Sequence, residues 1–127
     1  MLIIRTVIRP SATHGIGLFA AEPVAAGTRM WEFDDRLDRL YSNAEFQAIP
    51  EAHVMLMLYG QFTLDGDLLL CGDDARFVNH SETPSMSNME MFCVAARDIA
   101  AGEEITEDYR TFAPGACAAF LDHRDIS

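Results

Sequence analysis

A chain of 127 residues, 50% of them apolar, has the size of one domain and enough hydrophobic material for a core without disulfide or metal staples. Its formal net charge of −11, with nine basic residues that are all arginine and no lysine, opposes direct nucleic-acid binding; it serves solubility in any case and would also attract a basic protein or peptide. The apolar run Val54 to Tyr59 is far short of the roughly 20 residues that span a bilayer, and Arg5 ends the apolar start, so neither a membrane segment nor a secretory signal is expected.

Reading on from the first residue, Leu2 to Ile8 is apolar and β-branched and predicts a strand closed by Pro10. Gly15 to Ala20 and Arg29 to Phe33 predict two more, the second entered through Ala26-Gly27. Leu37 to Ile49 reads as one or two helical turns ended by Pro50, and Glu51 to Leu58 fits a helical turn or a strand. Phe62 to Cys71 predicts a hairpin turning at Asp65-Gly66. Arg76 to Val78, Met91 to Ala96 and Glu103 to Thr106 are further strand-like runs, and a short helix is expected around Ala116 to Leu121.

One repeat stands out. Residues 20–30 match residues 95–105: in each copy a strand exits, Val24 or Ile99 can anchor the turn, and Gly27 or Gly102 follows before the next strand. Two such copies suggest a pseudo-symmetric, all-β body. The cysteines, Cys71, Cys93 and Cys117, form no Cys-x-x-Cys pair. They read as buried thiols in a reducing compartment, the cytoplasm by default, and no metal site is expected.

Three short segments carry chemistry. Gly15-Ile16-Gly17 leads into a strand, not a helix, which excludes a dinucleotide or P-loop reading and leaves close backbone approach to a small ligand. Asn79-His80-Ser81 places an amide, an imidazole and a hydroxyl directly after an apolar run. Tyr109 closes Glu104-Ile105-Thr106-Glu107-Asp108-Tyr109 at the end of another predicted strand.

In this order, the three segments resemble those of the SET-domain protein lysine methyltransferases. The resemblance implies a mainly β fold, a clip of short sheets with minor helices, whose C-terminal segment threads past Asn79 so that Asn79 and Tyr109 meet. It implies one domain over residues 1–127, with 110–127 as a closing tail. The implied cofactor is S-adenosylmethionine, approached by Gly15, Ile16 and Gly17, with Asn79 on its amino-acid end and the backbone of His80 reading its adenine. Tyr109 is implied as the catalytic phenol, which orients the acceptor amine and does not act as a strong base. Phe33, Tyr59, Phe62 and Glu107 are implied to line the lysine channel. The substrate would be a basic tail, histone-like or ribosomal, and in a eukaryotic cell the protein would be nuclear.

This chain also departs from the family pattern. Glu82 stands where a cysteine is usual, Pro84-Ser85 replaces Pro-Asn, and no cysteine-rich segment follows Tyr109, in keeping with an absent zinc cluster. Closure over the substrate would fall to Phe112, Phe120 or a partner, and a homodimer is one way to supply it. Glu107 holds the Phe/Tyr position that tunes how many methyl groups are added, which leaves that number open. Two other readings stand beside the enzyme: a non-catalytic peptide- or cofactor-binding module of the same fold, and a clip domain of the antifreeze and sugar-acid type. The latter would need neither Asn79-His80 nor Tyr109.

Overall fold

The computed structural model describes residues 1–63, 66–89 and 91–109. In chain order the elements are β1 (Thr6–Pro10), β2 (Ile16–Ala20), β3 (Arg29–Glu32), β4 (Arg39–Tyr41), α1 (Asn43–Gln47), α2 (His53–Tyr59), β5 (Gln61–Phe62), β6 (Leu68–Leu70), β7 (Asn79–His80), β8 (Met86–Asn88), β9 (Phe92–Ala95) and β10 (Glu104–Glu107). The strands form three small sheets, ordered β1-β2-β10-β7, β3-β9-β8 and β4-β6-β5. The protein is therefore mainly β, with short sheets and two short helices among the described residues.

The sequence repeat is a structural dyad. Val24 and Ile99 form an antiparallel bridge, each N–H donating to the other's carbonyl at 2.8 Å. The flanking bonds correspond as well: Gly27 N–H donates to Ala95 O at 2.8 Å and Gly102 N–H to Ala20 O at 2.7 Å. Ala95 N–H in turn reaches Thr28 O at 2.9 Å, and Ala20 N–H reaches Glu103 O at 3.0 Å. Gly27 and Gly102 sit at φ 83° and 82°, a region costing an L-residue about 1–2 kcal/mol.

Around this dyad lies the main core, including Leu18, Met30, Val78, Ile99 and Ile105, each at most 2% exposed. A register shift between β3 and β9 at Arg29/Trp31 lets two successive residues, Met30 and Trp31, both face inward. A smaller core gathers Phe46, Leu56 and Leu68 beneath the two helices.

Several elements differ from the sequence expectation. The first strand starts at Thr6, and Leu2 instead makes an isolated bridge to Trp31. Pro10 remains within β1 because β1 is the sheet edge, where a missing N–H leaves no partner unpaired. Residues 39–41, expected to be helical, are strand β4, paired with Leu68–Leu70 of β6. The helix begins after Ser42, whose side chain accepts from Glu45 N–H while Glu45 accepts from Ser42 N–H. The undecided stretch after Pro50 is helical, a 3-10 turn running into α2. The hairpin forms between β5 and β6, with Gly66 at φ 87°; Asp65 lies outside the described residues. Arg76 to Val78 is not a strand: Asp74–Phe77 is a 3-10 turn, and Asn79 and His80 are themselves the strand. The short helix expected around Ala116, and the threaded crossing of the segment after Tyr109, lie outside the described residues.

Candidate active site at the junction of β7 and β10

β7 is delivered by the turn before it. Asp73 caps Asp74–Phe77 by accepting from Ala75 N–H at 3.0 Å, and its second oxygen accepts from Leu2 N–H at 2.8 Å. Arg76 reaches back to Cys71 O at 3.1 Å. The turn releases the chain in extended form at Val78, and Asn79 enters the core at 1% exposure. There β10 pairs with it in parallel, Thr106 opposite Asn79 and Glu107 opposite His80, while β10's other edge is antiparallel to β2.

A buried serine locks β10 in register. Ser85, fully buried, donates from Oγ to Glu104 O at 3.2 Å and accepts from Thr106 N–H at 3.0 Å. The position where the family pattern carries asparagine is thus a hydrogen-bonded hub.

Two residues past β10, Tyr109 is 1% exposed and its hydroxyl donates to Val78 O, the carbonyl just before Asn79. Its N–H donates to His80 Nδ1 at 3.2 Å, so a neutral His80 ring carries its proton on Nε2. The two rings lie 5.4 Å apart, and the Asp108 carboxylate is 3.7 Å from His80 Nδ1. The expected meeting of Tyr109 with the Asn79 segment is present.

The Asn79 carboxamide faces the glycine turn. Its Nδ2 donates to His14 O at 2.9 Å, Ile16 O at 3.3 Å and Glu104 Oε2 at 3.0 Å. The two glycines of that turn differ in purpose. Gly15 has φ 46°, and a Cβ placed on it would meet nothing within 4 Å, so its outer side is open. Gly17 is closed: a Cβ there would lie 2.6 Å from Glu104 Oε2. Ile16, between them, is 48% exposed.

Glu107 points inward. It is 3% exposed, and Gln61 Nε2 donates to its carboxylate. It borders a cavity of about 20 Å³, walled by Leu2, Trp31, Leu69, Val78 and Met86, room for about one water. Trp31 Nε1–H, also buried there, has no hydrogen-bond partner among the described residues. Cys71 and Cys93 border the same cavity, and burial, reinforced by nearby carboxylates, pushes both thiols far above their usual range. Three other residues are expected to line a channel. Phe33 is half-buried on the main core, Tyr59 packs edge-on to Phe77 at 6.0 Å, and Phe62 belongs to the small core against Phe46. From that stretch it is Gln61 that reaches Glu107.

Sequence reasoning missed Ser11, Gln61 and Glu104. A carboxylate at a strand start next to another carboxylate reads as a solvated face. The available signals were Gly17, a glycine at the head of a predicted strand whose missing side chain allows close approach, and the place of Glu104 at the start of the segment that ends in Tyr109.

Comparison with known proteins shows the family. Residues 15–110 match the SET domain. The chain belongs to the SET-domain family. It is 35% identical over 115 residues to the "Histone-lysine N-methyltransferase, H3 lysine-4 specific" of Yarrowia lipolytica, covering 79% of this chain and 10% of that protein. It is 33% identical over 119 residues to "Histone-lysine N-methyltransferase ash1" of Drosophila melanogaster, covering 78% of this chain and 5% of that protein. This SET domain therefore spans no more than a tenth of the length of either relative. Among solved structures it superposes on the Neurospora SET domain protein DIM-5, a histone lysine methyltransferase, with a TM-score of 0.65 at 19% identity, covering 85% of this chain and 53% of that one; this likeness supports the fold. A humanized mutant of the Chaetomium thermophilum Polycomb Repressive Complex 2, bound to the inhibitor GSK126, gives 0.67 at 25% identity, covering 91% of this chain and 16% of that one. Among the described residues no helix is long and apolar enough to cross a membrane, and no group of His, Cys, Asp and Glu is arranged to hold a metal ion.

Proposed function

We propose that this SET domain transfers a methyl group from S-adenosylmethionine to a lysine side chain of a basic protein. The observation that carries the reading is the buried Tyr109 hydroxyl, fixed on the carbonyl next to Asn79. The residues fit the cofactor: Gly15 leaves an open backbone face, and Asn79 and His80 stand beside it on β7. When bound, S-adenosylmethionine supplies a methyl group activated by a cationic sulfur.

The chain's own residues have three tasks. Asn79 and the turn Gly15-Ile16-Gly17 hold the amino-acid end, and the His80 backbone meets the adenine. Tyr109 orients the acceptor nitrogen. A free phenol loses its proton only near ~10, so the contribution assigned to Tyr109 is geometry and electrostatics. A lysine amine, with a pKa near ~10.4 in water, must lose its proton before it attacks, and entry into a dry channel beside fixed positive charge favours the neutral form. Glu107, buried with Gln61, would set a carboxylate near the inner end of that channel.

The net charge of −11 suits a lysine-rich tail. Relatives named for histone lysine make a histone-like tail the first candidate, and a nuclear location would follow in a eukaryotic cell. The test is incubation of the purified chain with radiolabelled S-adenosylmethionine and a mixture of basic proteins. Label transferred to lysine supports the reading; cofactor binding without transfer favours a binding module; neither binding nor transfer overturns both.

A further inference from the structure

We infer that Glu104 is a positioning residue that fixes the orientation of the Asn79 carboxamide and of the glycine turn, and so sets affinity for the cofactor. This rests on the methyltransferase reading. An asparagine side chain can present either its oxygen or its NH2 inward, and composition does not decide which. Here three oxygens converge on Nδ2: His14 O, Ile16 O and Glu104 Oε2, at 2.9, 3.3 and 3.0 Å. A reversed amide would set Oδ1 against all three, one belonging to a carboxylate. The charged acceptor makes the bond to Glu104 the strongest of the set.

Glu104 is itself held from the other side. Its Oε1 accepts from Ser11 Oγ at 2.7 Å. That hydroxyl accepts from Thr13 N–H at 3.0 Å and His14 N–H at 3.3 Å, and Ser11 N–H donates to Gly15 O at 2.7 Å. One carboxylate thus ties the loop from Ser11 to Gly15 to β7, across |i−j| separations of 93 to Ser11 and 25 to Asn79. Gly17 leaves room for this carboxylate: a Cβ there would lie 2.6 Å from Glu104 Oε2 and would have to displace it. Glu104 does not need to touch the cofactor; it acts through Asn79 and the turn.

The test compares the full chain with Glu104→Ala, Glu104→Gln and Ser11→Ala in two measurements. In the first, calorimetric titration with S-adenosylmethionine, Glu104→Ala should weaken binding about tenfold or more. Glu104→Gln, whose amide oxygen can still accept from Asn79, should stay within about threefold, and Ser11→Ala should lose about threefold. Wild-type affinity in Glu104→Ala overturns the assignment. So does Glu104→Gln binding as weakly as Glu104→Ala while its Asn79 carboxamide still exchanges slowly, because the amide would then be held without setting affinity. The second measurement needs no cofactor. The Asn79 carboxamide protons should exchange slowly in the wild type and Glu104→Gln, and rapidly in Glu104→Ala. Unchanged exchange in Glu104→Ala overturns the inference even if the wild type binds no cofactor, a result that would count separately against the methyltransferase reading. Should Glu104→Ala fail to fold, Ser11→Ala decides: unchanged affinity and unchanged Asn79 exchange would reject the role.

Discussion

The Val24–Ile99 turn pair and the β7–β10 junction solve the same problem by opposite means. Each joins segments far apart in sequence. At the turn pair the work is done by reciprocal backbone bonds and two aliphatic side chains, 7% and 2% exposed. At the junction the ladder is two residue pairs long, and buried polar side chains supply the rest: Asn79, Ser85, Thr106, Glu107 and Tyr109. Backbone pairing tolerates changes of side chain so long as shape is kept. A buried polar network does not, since each lost partner leaves another group unsatisfied. Stability should therefore concentrate at the first region and function at the second.

Substitutions can break this contrast. The largest expected effect is Ile99→Ala, which should cost about 2–5 kcal/mol in denaturant unfolding while leaving the cofactor dissociation constant of the folded protein unchanged. A shift in both would mean that the two regions are coupled. Next, Tyr109→Phe should slow methyl transfer on the order of a hundredfold with cofactor affinity preserved. Its stability should also fall by about 1–3 kcal/mol, because Val78 O loses its donor; equal transfer rates would remove Tyr109 from the mechanism. Asn79→Ala should weaken cofactor binding about tenfold by titration, the equivalent of about 1.4 kcal/mol. Gly102→Ala tests the turn pair for conformation alone, since a Cβ there meets nothing within 4 Å; about 1 kcal/mol should be lost, with no change in binding.

The smallest effect concerns the thiols. Cys71 and Cys93 are held above the ordinary thiol pKa in the folded state, chiefly by burial. The unfolded chain releases these protons from about pH 8.5 upward while the folded chain keeps them. Stability should be unaffected by these groups below that pH and decline above it. At pH 8, iodoacetamide should label the buried Cys93 slowly in the folded protein and fast in urea, with the half-buried Cys71 between the two; rapid labelling of Cys93 in the folded protein would contradict its burial.

What the sequence disclosed follows the same division. The repeat was readable, because a turn built from one anchor residue and one glycine leaves a local signature. The pairing of Asn79 with Tyr109 was reachable only through resemblance, since their separation spans β8, β9 and the second repeat copy. The strand at 39–41 was misread because its partner, Leu68–Leu70, is distant, although Ser42 and Glu45 at capping-box spacing already marked where the helix begins. Arg76 to Val78 looked like a strand on apolar content, but the Asp73 cap turns it into a 3-10 element. Glu104 stood in a segment already singled out, but its contacts were opaque, because nothing local says that a carboxylate beside another will be drawn against a glycine more than 80 residues earlier.

The placement of β10 between β2 and β7 has a consequence for biosynthesis. On a ribosome, β2 and β7 emerge well before the strand that joins them, and until it arrives Asn79 lacks the carboxylate acceptor and Val78 its phenol donor. Contacts of such long range form late. Until β10 and Tyr109 have been made the junction is unfinished, so its hydrogen-bond network is completed in one late step.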